Sequence, residues 1–236
     1  LLNLDVSMEK IIMKMVPNKK IYFILVFSTI FLPYSVFAST AYIDTNHSDF
    51  FVGDTILFRV HIDSEGKNIN ATEGEVLLDS VEDTVSLTDI NTSGSKFSVW
   101  PGKPLPSENN ASISFAGGSP GGLNSKDAIV FNIVLTLKKE GQIMLIPKDI
   151  SVYLNDGKGT KDEVRLKGLV VDISPQKPGS LPVDDWSNFI LNDKTPPELF
   201  EIYAGQEGTV FDGKKFLSFG TPDTQSDVIY YEVREN

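Results

Sequence analysis

The stretch Phe131-Asn132-Ile133-Val134-Leu135-Thr136-Leu137 decides the fold class of this chain. Its apolar residues at positions 131, 133, 135 and 137 recur at every second place, the spacing that puts them on one face of a β-strand. The segment Ile56–Ile62 repeats the pattern, with polar Arg59 and His61 on the other face. The two segments therefore predict strands that each bury one face.

The same theme continues on both sides of these two segments. Further strand-like sets are Val76 and Leu78, Val85 and Leu87, Ile113 and Phe115, Ile143 and Leu145, Val152 and Leu154, and Leu169, Val171 and Ile173. Turn signals at Glu140-Gly141 and Asn155-Asp156-Gly157 separate several of them, and no stretch after Ala38 keeps a 3.6-residue apolar period. Short strands at this spacing predict an all-β protein, a β-sandwich or jelly roll.

The N-terminal region has the pattern of a secretory signal. Lys19 and Lys20 precede the apolar run Ile21–Leu32, and Val36 and Ala38 supply small residues at the −3 and −1 positions of a cleavage site. The run is shorter than the roughly 20 residues that span a bilayer. We expect residues 1–38 to be a signal-peptide helix on an exported protein of the extracellular space or cell surface. A buried helix and an uncleaved membrane anchor are the alternatives.

Charge and cysteine content narrow the function further. Beyond residue 38 the chain has 17 basic and 30 acidic residues, a net charge of −13, and no cysteine. Such an acidic surface repels phosphate backbones, which argues against nucleic-acid binding. An exported domain without disulfides must depend on its core, and the 136 residues from Ser39 to Ser174 suffice for one. Two histidines and no cysteine exclude the usual zinc sites and leave oxygen-ligand metals such as calcium.

Composition divides the chain after the predicted signal. Residues 39–174 form the sandwich, and residues 175–195 are a Pro-rich linker that begins with Pro175, Pro178 and Pro182. Residues 196–236 contain strand-like pieces but are short for a sandwich of their own. We interpret them as an incomplete β module and expect any membrane anchor to lie beyond Asn236.

The segment Gly117-Gly118-Ser119-Pro120-Gly121 matches the G-x-S-x-G pattern of hydrolase nucleophile elbows. The elbow needs a helix after the serine, which Pro120 and the following glycines oppose, and both histidines precede Ser119. No lysine follows at the spacing of a phosphate-binding loop. A wide Gly-rich loop between two strands is the better interpretation, and we predict no enzyme activity.

Three other features have a functional and a structural interpretation. Asn155, Asp156 and Asp162 are weak calcium candidates, although Asp-Gly is also the commonest tight-turn pair. Trp100 is either a core aromatic residue under a crossover, which we favour, or an exposed platform. His61 is expected to face solvent.

Several segments together resemble a cohesin domain of bacterial surface and secreted proteins. They are Phe51-Val52-Gly53-Asp54-Thr55, Ile69-Asn70-Ala71-Thr72-Glu73-Gly74-Glu75-Val76, Phe97-Ser98-Val99-Trp100, Ile113-Ser114-Phe115-Ala116-Gly117-Gly118, Phe131-Asn132-Ile133, and Leu154-Asn155-Asp156-Gly157-Lys158-Gly159-Thr160. The tail, from Asp193-Lys194-Thr195-Pro196-Pro197 onward, resembles the start of an Ig-like or fibronectin type III-like module.

The cohesin resemblance implies a nine-stranded jelly roll without catalytic residues. It also implies a dockerin-like protein partner, bound through one sheet face, and a link to polysaccharide-degrading assemblies. We expect that sheet face and the Gly-rich loop to make the contacts, and we take as tentative partner-binding residues Trp100, Gly117, Gly118, Ser119, Gly121 and Gly122. Two alternatives stay open: a carbohydrate-binding module with Trp100, Tyr153 or Trp186 as its platform, and a hydrolase that uses Ser119. Contact with a membrane is expected only through the export signal or a later anchor.

Overall fold

A computed structural model describes residues 38–81, 83–200, 202–206, 213–219, 221, 223 and 232–234. Contacts divide the chain into two compact units, Leu1–Phe37 and Ala38–Asn236. The predicted signal peptide, apart from Ala38, therefore lies outside the described residues.

Twelve strands of the described residues belong to the sandwich. The first six are β1 (Ser39–Asp44), β2 (Phe50–Phe51), β3 (Thr55–Asp63), β4 (Ile69–Ser80), β5 (Val85–Asn91) and β6 (Val99–Pro106). The next six are β7 (Ser112–Leu123), β8 (Ala128–Leu137), β9 (Gly141–Leu154), β10 (Lys161–Asp162), β11 (Val164–Lys167) and β12 (Leu169–Ser174). They are followed by helix α1 (Asp185–Leu191) and by β13 (Tyr203–Gln206) and β14 (Lys215–Ser218).

The twelve strands form two sheets. Sheet I has the order β11-β1-β3-β8-β5, and sheet II has the order β2-β12-β9-β4-β7-β6, with β10 paired to β9. From β3 to β9 the chain alternates between the sheets, returning to the same sheet only at the β6–β7 hairpin. This alternation is a jelly-roll arrangement, and nine of the twelve strands have six or more residues. The predicted fold class is confirmed.

The core lies between the two sheets. In β8 the side chains of Phe131, Ile133, Leu135 and Leu137 are all fully buried, as the alternating pattern predicts. Asn132 and Val134 on the other face are buried too, so the prediction of a single buried face is wrong for β8. The first four residues belong to one apolar cluster that includes Leu145 of sheet II. Burying a side chain of this size contributes about 1.5–3 kcal/mol, so the cluster can stabilise the sandwich without a disulfide.

The segment after β12 departs from the predicted linker. Residues 175–182 contain neither strand nor helix, but Val183 hydrogen-bonds to the start of β3: its amide donates to Asp54 Oδ1 at 2.8 Å, and its carbonyl accepts from the amide of Thr55 at 2.8 Å. Helix α1 follows, capped by the Asp184 side chain, which accepts from the amide of Ser187 at 2.9 Å. The second half of the predicted linker is thus held on the sandwich by hydrogen bonds that its Pro-rich composition does not reveal.

The tail forms a short antiparallel ladder. Strand β13 pairs with β14, with Ala204 opposite Leu217 and Gly205 opposite Phe216. Residues 224–231 and 235–236 lie outside the described residues, and the Ig-like interpretation stays a prediction.

Candidate partner-binding faces

The outer face of sheet II carries an apolar stripe at its centre. In β9, Ile143 and Leu145 are buried in the core, so the alternating Met144 and Ile146 lie on the outer face. In β4, Leu77 lies on the same face, since its neighbour Val76 is buried in the core.

Strand register brings these side chains together. Ile146 is opposite Leu77, and Met144 is opposite Val170 of β12. We call Leu77, Met144, Ile146 and Val170 the outer stripe. The first three are half-buried, and Val170 is 53% exposed. Leu105, 66% exposed on edge strand β6, extends the apolar surface at the far side of the sheet.

Polar groups border the outer stripe. Glu75 is opposite Lys148 across β4 and β9, and the Tyr153 hydroxyl donates to the Glu73 carboxylate. The Lys161 ammonium lies 5.3 Å from the centre of the Tyr153 ring. An apolar centre with a polar rim of both charges is the usual anatomy of a protein–protein interface.

The outer face of sheet I is different, because α1 packs against β3. Leu57 is only 4% exposed although it lies on this outer face of β3. Asp185 of α1 accepts from the amide of Leu57 at 3.2 Å and contacts His47 Nε2 at 2.9 Å. Part of this face is therefore already covered by the chain itself.

The Gly-rich segment is a strand, and the predicted wide loop is wrong. Residues 117–122 lie inside β7, where Gly117 pairs with Thr72 and Gly118 with Ala71. A Cβ on Gly117 would lie 2.6 Å from the Trp100 ring, and a Cβ on Gly118 would lie 2.4 Å from the Asn70 carbonyl oxygen. These two buried glycines are required by packing, so their role here is structural.

The other glycines of this segment lie near the end of β7. Gly121 is exposed, and a Cβ there would meet nothing within 4 Å. Gly122 has φ +80° and lies beside the Asn155 and Asn68 side chains, so a larger residue is disfavoured. Of the tentative binding residues, Gly121 is the one with open space around it.

Trp100 is a packing residue, as favoured from the sequence. It is half-buried against the core cluster and makes an edge-to-face contact with Phe97 at 6.1 Å between ring centres. Tyr153 binds Glu73 on sheet II, and Trp186 stacks on Phe189 within α1 at 5.9 Å. The three aromatic residues considered for a sugar platform therefore lie on separate elements and form no common surface.

Ser119 lacks the surroundings of a nucleophile. It lies within β7, half-buried, and the strand continues through Pro120 instead of turning into a helix. His47 contacts Asp185, and His61 contacts Asp44. The structure brings neither histidine into a hydrogen bond with the serine.

His61 is buried, and the prediction that it faces solvent is wrong. Its ring stacks on Tyr42 at 4.9 Å between centres, Nδ1 lies 3.2 Å from the Asp127 carbonyl oxygen, and Nε2 lies 3.0 Å from Asp44 Oδ1. Burial and the nearby carboxylates, Asp44 first among them, raise the pKa of the Tyr42 hydroxyl.

The calcium candidates have protein partners. Asp156 accepts from the Thr160 hydroxyl at 2.5 Å and the Lys158 amide at 2.9 Å, hydrogen bonds that lower the pKa of its carboxyl and close the predicted turn. The backbone N–H of Asn155 donates a hydrogen bond to the backbone carbonyl of Asn68. Within the described part of the chain, no group of three or more acidic, histidine or cysteine side chains is placed to hold a metal ion.

Asp162 instead joins β10 to the first strand. It accepts from the Lys67 ammonium at 2.5 Å, the Ser39 hydroxyl at 2.7 Å and the Ser39 amide at 3.2 Å. Burial by itself raises the pKa of this carboxyl, but these hydrogen bonds outweigh burial and leave the pKa below its usual value. Asp162 is therefore a structural anion with a full set of donors.

Comparison with known proteins places these features in context. No family model and no curated protein matches the chain. Among solved structures, the chain is similar to the cohesin module of a family 33 glycoside hydrolase from Clostridium perfringens, with 16% identity over 59% of this chain and 98% of that one and a TM-score of 0.48.

Two further similar structures are also cohesins. One is a non-cellulosomal cohesin from the archaeon Archaeoglobus fulgidus, with 15% identity over 58% of this chain and 92% of that one and a TM-score of 0.46. The other is the third ScaB cohesin of R. flavefaciens in complex with a group 1 dockerin, with 14% identity over 60% and 99% and a TM-score of 0.44. Across the residues that the structure describes, no helix is long and apolar enough to cross a membrane.

Proposed function

We propose that this chain is an exported, non-catalytic recognition module that binds a dockerin-like protein partner through the outer face of sheet II. The observation that carries the proposal is the outer stripe, an apolar row at the centre of a sheet face, while the opposite sheet face is partly covered by α1. The ordered set of sequence segments that resembles a cohesin supports the same class of partner.

The size of the face fits a protein partner. Strands β9, β4, β7 and β6 lie side by side at about 4.8 Å spacing, which gives a width of about 20 Å. Strand β4 has 12 residues and is about 40 Å long. Their product is about 800 Å², the area that one partner of a standard interface buries.

The chemistry of the face favours binding over catalysis. Its central residues are apolar and its polar residues are rim pairs such as Glu75 with Lys148. The one serine in a hydrolase-like motif, Ser119, has no histidine partner in the described structure. The pattern from Lys19 to Ala38 supports export, and a surface or extracellular role in polysaccharide-degrading assemblies is part of the proposal.

Paired charge substitutions test the face. Leu77→Asp with Ile146→Asp places two carboxylates at the centre of the outer stripe, and we expect binding to dockerin modules of the source organism, measured by calorimetry, to weaken at least 100-fold. Leu191→Asp is the matched control, because Leu191 is 77% exposed at the end of α1. Unchanged binding in the double variant, or loss in the control, contradicts the proposed face.

A further inference from the structure

A pocket lined by polar and apolar residues lies between α1 and the outer face of sheet I. It encloses about 300 Å³, near the lower end of the range for small-molecule sites. Its lining residues are Asn46, Leu57, Arg59, Asp185, Asn188, Phe189 and Asn192. The pocket is thus built from the loop after β1, from β3 and from one face of α1.

Arg59 and Asp185 are the charged side chains of this pocket, and Arg59 forms no ion pair with any described residue. The Arg59 guanidinium donates one hydrogen bond within the described structure, from Nη1 to Asn46 Oδ1 at 3.2 Å. A guanidinium has five N–H donors, so four remain for a ligand, and its planar fork matches a carboxylate. The guanidinium is thus positioned by Asn46, and its other N–H groups are available to a ligand.

The carboxylates nearby are already engaged. Asp185 contacts His47 and accepts from the amide of Leu57, and Asp44, opposite Arg59 in the β1–β3 ladder, contacts His61. Arg59 makes no ion pair with either of these carboxylates, so its guanidinium can pair with an anion from solution.

Amide groups supply the remaining polar contacts. The Asn188 carboxamide makes no hydrogen bond in the described structure. The side-chain Nδ2 of Asn192 donates to the backbone carbonyl of Asn188, which leaves the Asn192 Oδ1 without a described donor. Asn46 accepts from Arg59 through Oδ1, and its Nδ2 has no described acceptor. Paired amide donors and acceptors suit neighbouring hydroxyl groups.

An apolar wall completes the site. The Phe189 ring is fixed by its stack on Trp186, with 16° between the ring planes. Such a ring offers its face to the C–H groups of a ring-shaped ligand, while Leu57 closes the floor of the pocket.

From this arrangement we infer that the pocket between α1 and β3 binds a monosaccharide unit that carries a carboxylate, such as a hexuronate. Arg59 pairs with the carboxylate, the asparagine amides bind the hydroxyls, and Phe189 packs on the sugar ring. The site lies on the opposite sheet from the proposed partner face and is independent of it, so it adds a second binding function to the module.

The inference is tested by titrating the whole chain with sodium glucuronate and, at matched ionic strength, with glucose. The ¹H–¹⁵N signals of the Asn188 and Asn192 side chains and of Arg59 Nε report binding at the pocket itself. We expect glucuronate to shift these signals with a Kd of about 1 mM, and glucose to bind at least tenfold more weakly.

Variants distinguish a loss of binding at the pocket from a general loss of folding. Arg59→Gln keeps the hydrogen-bonding end but removes the charge, and we expect it to weaken glucuronate binding at least tenfold. Asn188→Ala, on the exposed side of α1, should weaken glucuronate binding several-fold. Two controls should leave it unchanged: Ser187→Ala, which is on the same helix but not in the pocket lining, and Leu77→Asp on sheet II.

Three results would each overturn the inference. They are the absence of shifts at concentrations well above the expected Kd, equal affinity for the two sugars, and unchanged affinity in a folded Arg59→Gln variant.

Discussion

At the scale of single residues, the close contact between Gly117 and Trp100 explains why the strand has a glycine there. The indole ring occupies the place of a Cβ at 2.6 Å. We expect Gly117→Ala to lower the free energy of unfolding by about 1–3 kcal/mol, because the ring must shift in a packed core. Urea denaturation measures the loss, and Gly121→Ala, with open space around it, is the control. Equal stability of the two variants would contradict this packing role.

Asp162 gives a pH-dependent prediction. Its folded-state pKa is lowered, so its contribution is present above the unfolded value near pH 4 and is lost as the pH falls through the folded value. We expect Asp162→Asn to cost about 1–3 kcal/mol of unfolding free energy at neutral pH, since three hydrogen bonds to a charged acceptor weaken.

The difference between the wild-type chain and Asp162→Asn should shrink when denaturation is repeated below pH 4. Exposed Asp79, replaced by Asn, is the matched control on sheet II. A cost that stays constant down to pH 2 would show that the carboxylate charge is not what stabilises this junction.

At the scale of elements, helix α1 depends on a buried aspartate. Asp54 is 3% exposed and accepts from the amides of Phe51 at 2.9 Å and Val183 at 2.8 Å. We expect Asp54→Ala to release residues 183–191 from sheet I, so that their amides exchange with solvent at least tenfold faster in hydrogen-exchange measurements. Exposed Asp49, replaced by Ala, is the control. Unaltered protection of α1 would mean that its other contacts, such as those of Asp185 with His47 and the Leu57 amide, suffice to hold it.

The sequence contains a weak signal for this helix. Asp184 is an N-cap residue type, and Trp186 and Phe189 lie three residues apart. Seven residues are too few for a sustained 3.6-residue period, and the preceding prolines dominate the composition of the segment. The pocket between α1 and β3 could not be predicted either, because Arg59 and Asn188 are far apart in the chain.

Edge strand β6 was also hard to predict. Pro101, Pro104 and Pro106 lack the N–H groups of a regular ladder, and its pairing with β7 has register shifts. Proline is tolerated at the edge of a sheet, where one side of the strand needs no partner. Because β6 lies at the edge, β7 lies between β4 and β6 and pairs on both sides. The glycines of β7 therefore form a strand and not a loop.

At the scale of the whole molecule, the sandwich is stabilised by its core and by hydrogen bonds within the chain. Asp156 and Asp162, the two acidic calcium candidates, are bound by protein donors. We therefore expect the melting temperature in millimolar calcium and in excess chelator to agree within about 1 °C, as ligand linkage requires when no site is filled. A rise of several degrees with calcium would contradict these assignments.

The two sheets divide the surface between them. Sheet II carries the outer stripe, and sheet I carries α1 and the pocket beside it. We therefore expect the two sets of variants to act independently. The double variant Leu77→Asp with Ile146→Asp should weaken binding of the protein partner only, and Arg59→Gln should weaken binding of the acidic sugar only.

The sequence by itself determined the all-β class, the strands of the core and the turn at Asn155–Gly157, because alternation and turn chemistry are local properties of neighbouring residues. Only the tertiary structure decided the roles of Gly117, His61 and Asp162. Each depends on a partner that lies far away along the chain or on another strand. The position of α1 on one of the two sheets also depends on the tertiary structure. The alternating apolar pattern shows that each strand has two faces, but it does not show which sheet α1 packs against. That choice is set by the contacts of Asp54 and Asp185, each with a residue more than a hundred positions away in the chain.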